Sequence, residues 1–445
     1  MSFEDEDRHE AFLHSRREFL RKSLAVASAT TALPLLSPLR AAAAATQRVT
    51  ITLWSPAGQR FGKANAGIIP LFERAHPNIK VNTVTTSIGE YFPKMATEIG
   101  GGSTTYDLFQ AIPTFVVAFA SGRKIVPLDD YLTAQEKADL DADIPKKYYD
   151  TFKFEGKIYG VPNDSNTQWS FYRKDLFRQA GVQLPKAWDD VEGVVKALQK
   201  TGQKDGTFAY TASLRRGEYA GAHFSTIFWS HGGEWWDAGF RPTINNDIGK
   251  KTLEIMLSLM PYADPGSINA TEDDTINAMG SGTAAYAPVL WGNSVLTNPS
   301  LAKRGAQIGT SVPPRGGSRL ASPMLGGLAY MIPVGAKNKD AAARYIKFAT
   351  SRQIMRAWVK NTGQPARVSA LRDPENLKTG PYFPTLAQAL QQGHPQVRIA
   401  ESFQLLDALG NQVARALTKE VTVAQALQDI DATFTETLKK GGHLK

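Results

Sequence analysis

The chain reads as an α/β protein built on a largely parallel sheet and divided into two domains. Three observations predict this. Strand-like and helix-like segments alternate over residues 49–111, as they do where crossover helices join parallel strands. About 400 residues follow an N-terminal tag, which is enough for two domains. Outside that tag the chain has no internal repeat and no low-complexity segment.

The tag comes first. Acidic and polar residues precede Ser15-Arg16-Arg17-Glu18-Phe19-Leu20-Arg21-Lys22, which looks like a twin-arginine export signal carried by Arg16 and Arg17. A weakly apolar run over 24–39 leads to Ala41-Ala42-Ala43-Ala44-Ala45, with several small-x-small cleavage sites. A signal peptide over 1–45 follows from this. The run falls short of the roughly 20 apolar residues that a membrane span needs.

The alternating stretch 49–54 predicts a strand, and 65–75 a helix stopped by Pro77. A second strand is expected over 79–84, a helix over 91–99 ended by a glycine run, and a third strand over 107–111. Val191, Val194, Val195 and Leu198 mark one helix face, with Asp189 and Asp190 in its first turn and Gly202 after it. Ala342, Tyr345, Ile346 and Ala349 repeat that spacing. Ser351 can cap the next helix, which contains Met355 and Trp358. Near the C-terminus Val423, Leu427, Ile430, Phe434 and Leu438 share a face, and Thr422 with Gln425 makes a capping box. Trp235 and Trp236 suit a structural hairpin.

The net charge of +9 lies outside the tag, where acidic and basic residues balance. Its longest basic runs are pairs such as Lys146-Lys147 and Arg215-Arg216, so the footprint of a nucleic-acid binder is missing. The chain has no cysteine. That excludes disulfides, thiolate metal sites, cysteine nucleophiles and a lipoprotein anchor, and leaves a free protein expected in the periplasm.

Signatures of catalysis are absent. There is no His-Glu-x-x-His and no Gly-x-Ser-x-Gly. Around Gly62-Lys63, Ala57 and Ala64 stand where a phosphate loop needs Gly and Ser/Thr. Adjacent carboxylates such as Asp273-Asp274 point apart and do not face each other across a cleft. The informative feature is tryptophan beside polar groups: Trp54 near Ser55, Trp169 after Asn163-Asp164-Ser165-Asn166-Thr167-Gln168, and Trp291 before Gly292-Asn293. An indole suits the C–H face of a sugar ring, while Asp, Asn, Gln and Arg match its hydroxyl edge. For these three, site and core are equally open; Trp188 and Trp358, on periodic helices, read as core.

Tyr159-Gly160-Val161-Pro162-Asn163-Asp164-Ser165-Asn166, followed by Phe171-Tyr172-Arg173-Lys174-Asp175-Leu176-Phe177, resembles the extracellular solute-binding proteins of family 1, the carbohydrate-binding components of ABC importers. Gly232-Gly233-Glu234, Gly282-Thr283-Ala284-Ala285-Tyr286, Gly326-Gly327 and the stretch 340–348 follow in that family's order. The resemblance implies a two-lobed periplasmic binding protein fold, type II-like, with the lobes joined by a hinge of crossing strands. Crossings are expected near Gly160-Val161-Pro162, Gly326-Gly327-Leu328 and Gly363-Gln364-Pro365. These boundaries assign residues 46–160 and 328–363 to the first lobe, and 161–327 and 364–445 to the second.

The same resemblance implies the ligand contacts. Trp54 and Gln110 come from strand ends of the first lobe, and Asn163, Asp164 and Trp169 follow the first crossing. Trp291 belongs to the second lobe, Gly327 to the second crossing, and Arg367 follows the third. It implies a monomer that needs no catalytic residue, metal or cofactor. Its partners are a carbohydrate ligand, the permease of an ABC transporter and, during export, the twin-arginine translocase. Arg215, Arg216 and Arg367 are candidates for an anionic sugar. A secreted carbohydrate-active lyase or hydrolase stays open at this level, as does a receptor for a sugar phosphate, polyamine or peptide.

Overall fold

The computed structural model describes residues 48–202, 206–292 and 307–444. The expected signal peptide, with Arg16 and Arg17, lies outside them.

Nine strands are described: β1 (Val49–Pro56), β2 (Ile79–Thr86), β3 (Leu108–Ala111), the short hairpin β4 (Lys153–Phe154) and β5 (Lys157–Ile158), β6 (Val161–Arg173), β7 (Tyr286–Trp291), β8 (Ile308–Ser311) and β9 (Leu325–Met331). The main sheet runs β2-β1-β3-β9-β6-β7, with β8 also paired to β6. The first three strands are parallel, as the strand–helix alternation predicts. The rest are not: β9 is antiparallel to β3 and β6, and β7 and β8 are antiparallel to β6. The expectation of a largely parallel sheet fails there because β9 enters the first sheet from the other end of the molecule. Local alternation of elements carries no sign of that direction.

β6 joins the two halves. Its 13 residues reach on the order of 40 Å at the rise of an extended chain. Val161–Thr167 pair with β9, and Gln168–Arg173 run between β7 and β8. Two apolar clusters pack against it, and the first takes in Trp169 and Phe171 from its far half, with Leu290 and Ile308 beside them, as well as Val161 from its near one. The first includes Ile51, Phe72, Met95, Tyr345, Met355 and Trp358. The second includes Trp188, Val195, Phe228, Leu253, Leu409 and Phe434. Trp188 and Trp358 are thus core residues, as their helical spacing predicts. Trp235 is buried against Trp229 and Phe434, and the turn after it closes with Asp237 N–H donating to Arg241 O and Thr243 N–H to Trp235 O.

The helices form where periodicity and capping place them. Ser351 Oγ accepts from Ile354 N–H at the start of Arg352–Lys360. Thr422 Oγ1 accepts from Gln425 N–H at the start of Val423–Lys440. The return half of that capping box is not made; the Gln425 amide donates to Asp429 instead, at 2.7 Å.

The two clusters do not follow the expected lobe boundaries, since the first also takes in Ile276, Leu290 and Ile308. Ala366, Leu371, Phe383, Leu386 and Leu390 pack into the first core, and the second resumes at Ile399. The chain does touch the crossing at Gln364-Pro365: Ser165 N–H donates to Gln364 O, Ser165 Oγ to Pro365 O, and Asp164 bridges Pro365. It then turns back, because the helices Val368–Leu371 and Phe383–Gln392 carry apolar faces that the first core buries.

Candidate functional site

Register fixes what faces what at the crossing. Gln110 on β3 pairs with Tyr330 on β9, and Tyr330 with Val161 on β6. After a bulge at Asn163, Asp164 pairs with Leu328 and Asn166 with Gly326; further along, Gln168 pairs with Trp291. Directly paired residues share a sheet face, and alternate residues along a strand return to it. Gln110, Tyr330, Asp164, Asn166 and Trp291 therefore form one row across the boundary between the halves. Ligands of open α/β sheets bind beyond the C-terminal ends of the strands, and β1 and β3 both end beside this row.

Three carboxamides at this crossing are buried and incompletely bonded. The side chains of Gln110, Asn163 and Gln364 are fully buried. Gln110 Nε2, both amide atoms of Asn163 and both of Gln364 have no hydrogen-bond partner among the described residues. Buried amides are nearly always paired in native proteins, so these five atoms stand out, alongside unpartnered groups within the cores such as Trp188 Nε1 and Thr252 Oγ1. Gln364 is held by its turn: Trp358 Nε1 donates to its carbonyl at 3.3 Å, and Gly363 leaves room for that ring, since a Cβ there would lie 2.2 Å from Trp358 Nε1.

Gln110 is anchored on its other side. Asn65, in the first turn of the helix Ala64–Ala75, donates from Nδ2 to Gln110 Oε1 at 2.9 Å, and Tyr330 Oη donates to Asn65 Oδ1. All three are fully buried. Asn166 Oδ1 accepts from Gly292 N–H at 3.0 Å and so ties β6 to the end of β7. Trp291 is half-buried, and its indole lies against the bare backbone of Gly326, where a Cβ would come within 2.5 Å of the ring.

The structure brings Gln110, Asn163, Asp164, Trp291 and Gly327 to the crossing. Gly327 acts through its backbone. Its φ is +97°, and a Cβ there would stand 2.4 Å from both Asp164 O and Tyr148 Oη. The other three expected contacts are placed elsewhere. Trp54 is buried within the first core, stacked on Tyr106 at 4.4 Å, with Nε1 donating to Thr86 Oγ1. Trp169 follows Gln168 and so points to the opposite face from Trp291; there it packs on Phe171 and Tyr382. Arg367 is locked in a buried ion-pair cluster, with Nη1 2.7 Å from Asp139 and 3.1 Å from Asp143, and Nε donating to Thr350 O.

The other cations proposed for an anionic ligand are also engaged. Arg216 pairs with Glu420, and Arg215 stacks over Tyr219 at 4.8 Å. Among the described residues no group of three His, Asp or Glu side chains is placed to hold a metal, and no helix is long and apolar enough to cross a membrane.

Asn65, Tyr330, Asn166 and Gln364 were not singled out by sequence reasoning. Asn166 and Gln364 lie within stretches that carry the family resemblance, but neither has a local pattern that distinguishes it. Asn65 reads only as a helix start, and Tyr330 only as one residue of an apolar strand. Their meeting requires the pairing of β3 with β9, which joins segments about 200 residues apart.

Residues 52–356 match the family of bacterial extracellular solute-binding proteins. The chain belongs to that family. A probable amino-acid ABC transporter periplasmic-binding protein of Sinorhizobium fredii is 26% identical over 82% of this chain and 84% of its own length. A mannitol-binding protein of Pseudomonas aeruginosa is 24% identical over 84% of this chain and 90% of its own. Among solved structures, a solute-binding protein of Agrobacterium radiobacter in complex with ribitol superposes with a TM-score of 0.78, at 21% identity, over 88% of this chain and 99% of that one. The fold is thus the two-lobed one that the sequence motifs imply. The relatives are binding proteins rather than enzymes, and family members serve ABC transporters outside the cytoplasmic membrane.

Proposed function

We propose that the chain is a periplasmic receptor that holds a sugar or polyol at the crossing between its lobes and delivers it to the permease of an ABC importer. Export through the twin-arginine translocase, directed by Arg16 and Arg17, brings it to that compartment already folded. The observation that carries the ligand assignment is the set of buried, unpartnered carboxamides of Gln110, Asn163 and Gln364. Uncharged amides offer donors and acceptors without a net charge, which matches a neutral polyhydroxylated guest. A buried amide left without its partner is penalised, so a solute lacking the right hydroxyl is rejected. Mannitol and ribitol, bound by the relatives named above, have this chemistry. Closure of the lobes follows from tighter binding to the closed form, and no bond is made or broken.

Thermal unfolding in the presence of D-mannitol, ribitol, oligosaccharides, amino acids and polyamines tests the reading. A ligand at about 100 times its Kd adds about 2.7 kcal/mol, so a polyol or sugar raises Tm. A shift with amino acids or amines alone contradicts the proposal. So does release of more than one equivalent of product from an oligosaccharide on prolonged incubation.

A further inference from the structure

We infer that Asn166 sets the polarity of the site, because its carboxamide turns only hydrogen-bond donors toward the guest, beside the indole of Trp291. This deepens the sugar and polyol reading and rests on it. The strands at the crossing are buried almost throughout. Along β6, β7 and β9 only Asn166, Tyr172 and Trp291 are partly exposed. Tyr172 lies far along β6 against Phe177, while Asn166 and Trp291 share the face of the row described above. A carboxamide has two orientations, and its neighbours decide between them. Those of Asn166 are two backbone amides, which donate and do not accept. Thr167 N–H and Gly292 N–H both point at Oδ1, each at 3.0 Å. The reversed amide would set its own donors against both. Oδ1 therefore faces the backbone, and the outward end is Nδ2, which has no partner among the described residues.

Trp291 completes the subsite. Its ring rests on the bare backbone of Gly326, the residue paired with Asn166, so an apolar indole and two N–H donors lie side by side. A hydroxylated carbon fits both, with its C–H face on the ring and an oxygen lone pair toward Nδ2. A ring or carbonyl oxygen also meets the donors. An ammonium group, which has donors and no acceptor, does not. Asn166 is thus a specificity-determining residue that admits an oxygen and turns away an amine at that subsite.

Calorimetric titration of the mature chain with D-mannitol, ribitol and their mono-amino-deoxy analogues, one for each distinct hydroxyl position, tests this. In the wild type the analogue whose ammonium falls at Asn166 should bind at least ~10-fold more weakly than its parent polyol, since donors then face donors. Asn166→Asp keeps an oxygen for both backbone amides and makes the outward group an anionic acceptor. For that analogue the preference should invert, with the amine binding more tightly than the polyol. Asn166→Ala removes the outward group and should narrow the difference to within ~3-fold, which keeps the test open if Asn166→Asp does not fold. If Asn166 only clamps β6 to β7, Asn166→Asp keeps the wild-type selectivity or changes the affinity for every analogue alike. Either result overturns the proposal, as does a wild type that binds polyols and all the amines equally. A wild type that binds no polyol or sugar overturns it together with the functional reading beneath it.

Discussion

At the level of single residues, burial decides the behaviour of several polar groups. His223 lies in the second lobe with its Nε2 3.1 Å from Tyr210 Oη, and desolvation pushes its pKa from the ordinary 6.5 down to about 3. The folded chain keeps it neutral, while the unfolded chain protonates it near pH 6.5. Its contribution to stability is present above about pH 6.5 and is lost as pH falls from there toward 3, at up to roughly 1.4 kcal/mol per pH unit. Chemical denaturation at pH 6.5 and pH 5 should show the wild type losing about 2 kcal/mol more than His223→Gln; equal losses contradict this. Gly327 sets a second residue-scale test. Gly327→Ala combines a positive φ with contacts at 2.4 Å and should destabilise by about 2 kcal/mol, seen as a lower urea midpoint with an unchanged slope.

Among the elements, the ion-pair cluster around Arg367 holds the helix Ala134–Asp143 against the segment that leads into Val368–Leu371. Ser369 N–H and Oγ also donate to Asp143. Burial pushes the Asp139 carboxyl up, but attraction to Arg367 and hydrogen bonds from Arg367 and Arg352 hold it below the usual carboxylate range. Arg367→Ala leaves the buried Asp143 with Ser369 and the longer Arg352 contact at 3.4 Å and should lower stability by about 2 kcal/mol, with polyol affinity unchanged by calorimetry. A variant of normal stability with lost binding would return Arg367 to the ligand site. Sequence placed Arg367 among the contacts because it follows the expected third crossing. The structure sets its guanidinium against Asp139 and Asp143 instead, and nothing in residues 363–367 signals those partners.

The same distinction explains which parts of the molecule were legible. Strands and helices were readable where periodicity and caps act locally, as with Thr422 and Ser351. Trp188 and Trp358 were readable as core for the same reason. Trp54 and Trp169 were not, because composition beside polar neighbours does not reveal sheet face. Trp169 follows Gln168, and only the pairing of Gln168 with Trp291 shows that the two indoles point apart.

For the whole molecule, β6 pairs with β9 along its first half and with β7 and β8 along its second, and the unpartnered amides lie on or beside the strands β3 and β6 and the Gln364 turn. A guest bonded to both halves couples its affinity to lobe closure. Trp291→Ala should weaken polyol binding at least ~10-fold if the indole caps the guest, and unchanged affinity would remove Trp291 from the site. The most direct test of the two-lobed receptor is small-angle scattering of the mature chain with and without D-mannitol or ribitol at a concentration that saturates it by calorimetry. The account predicts a smaller radius of gyration with ligand bound. Identical scattering curves at proven saturation would contradict it.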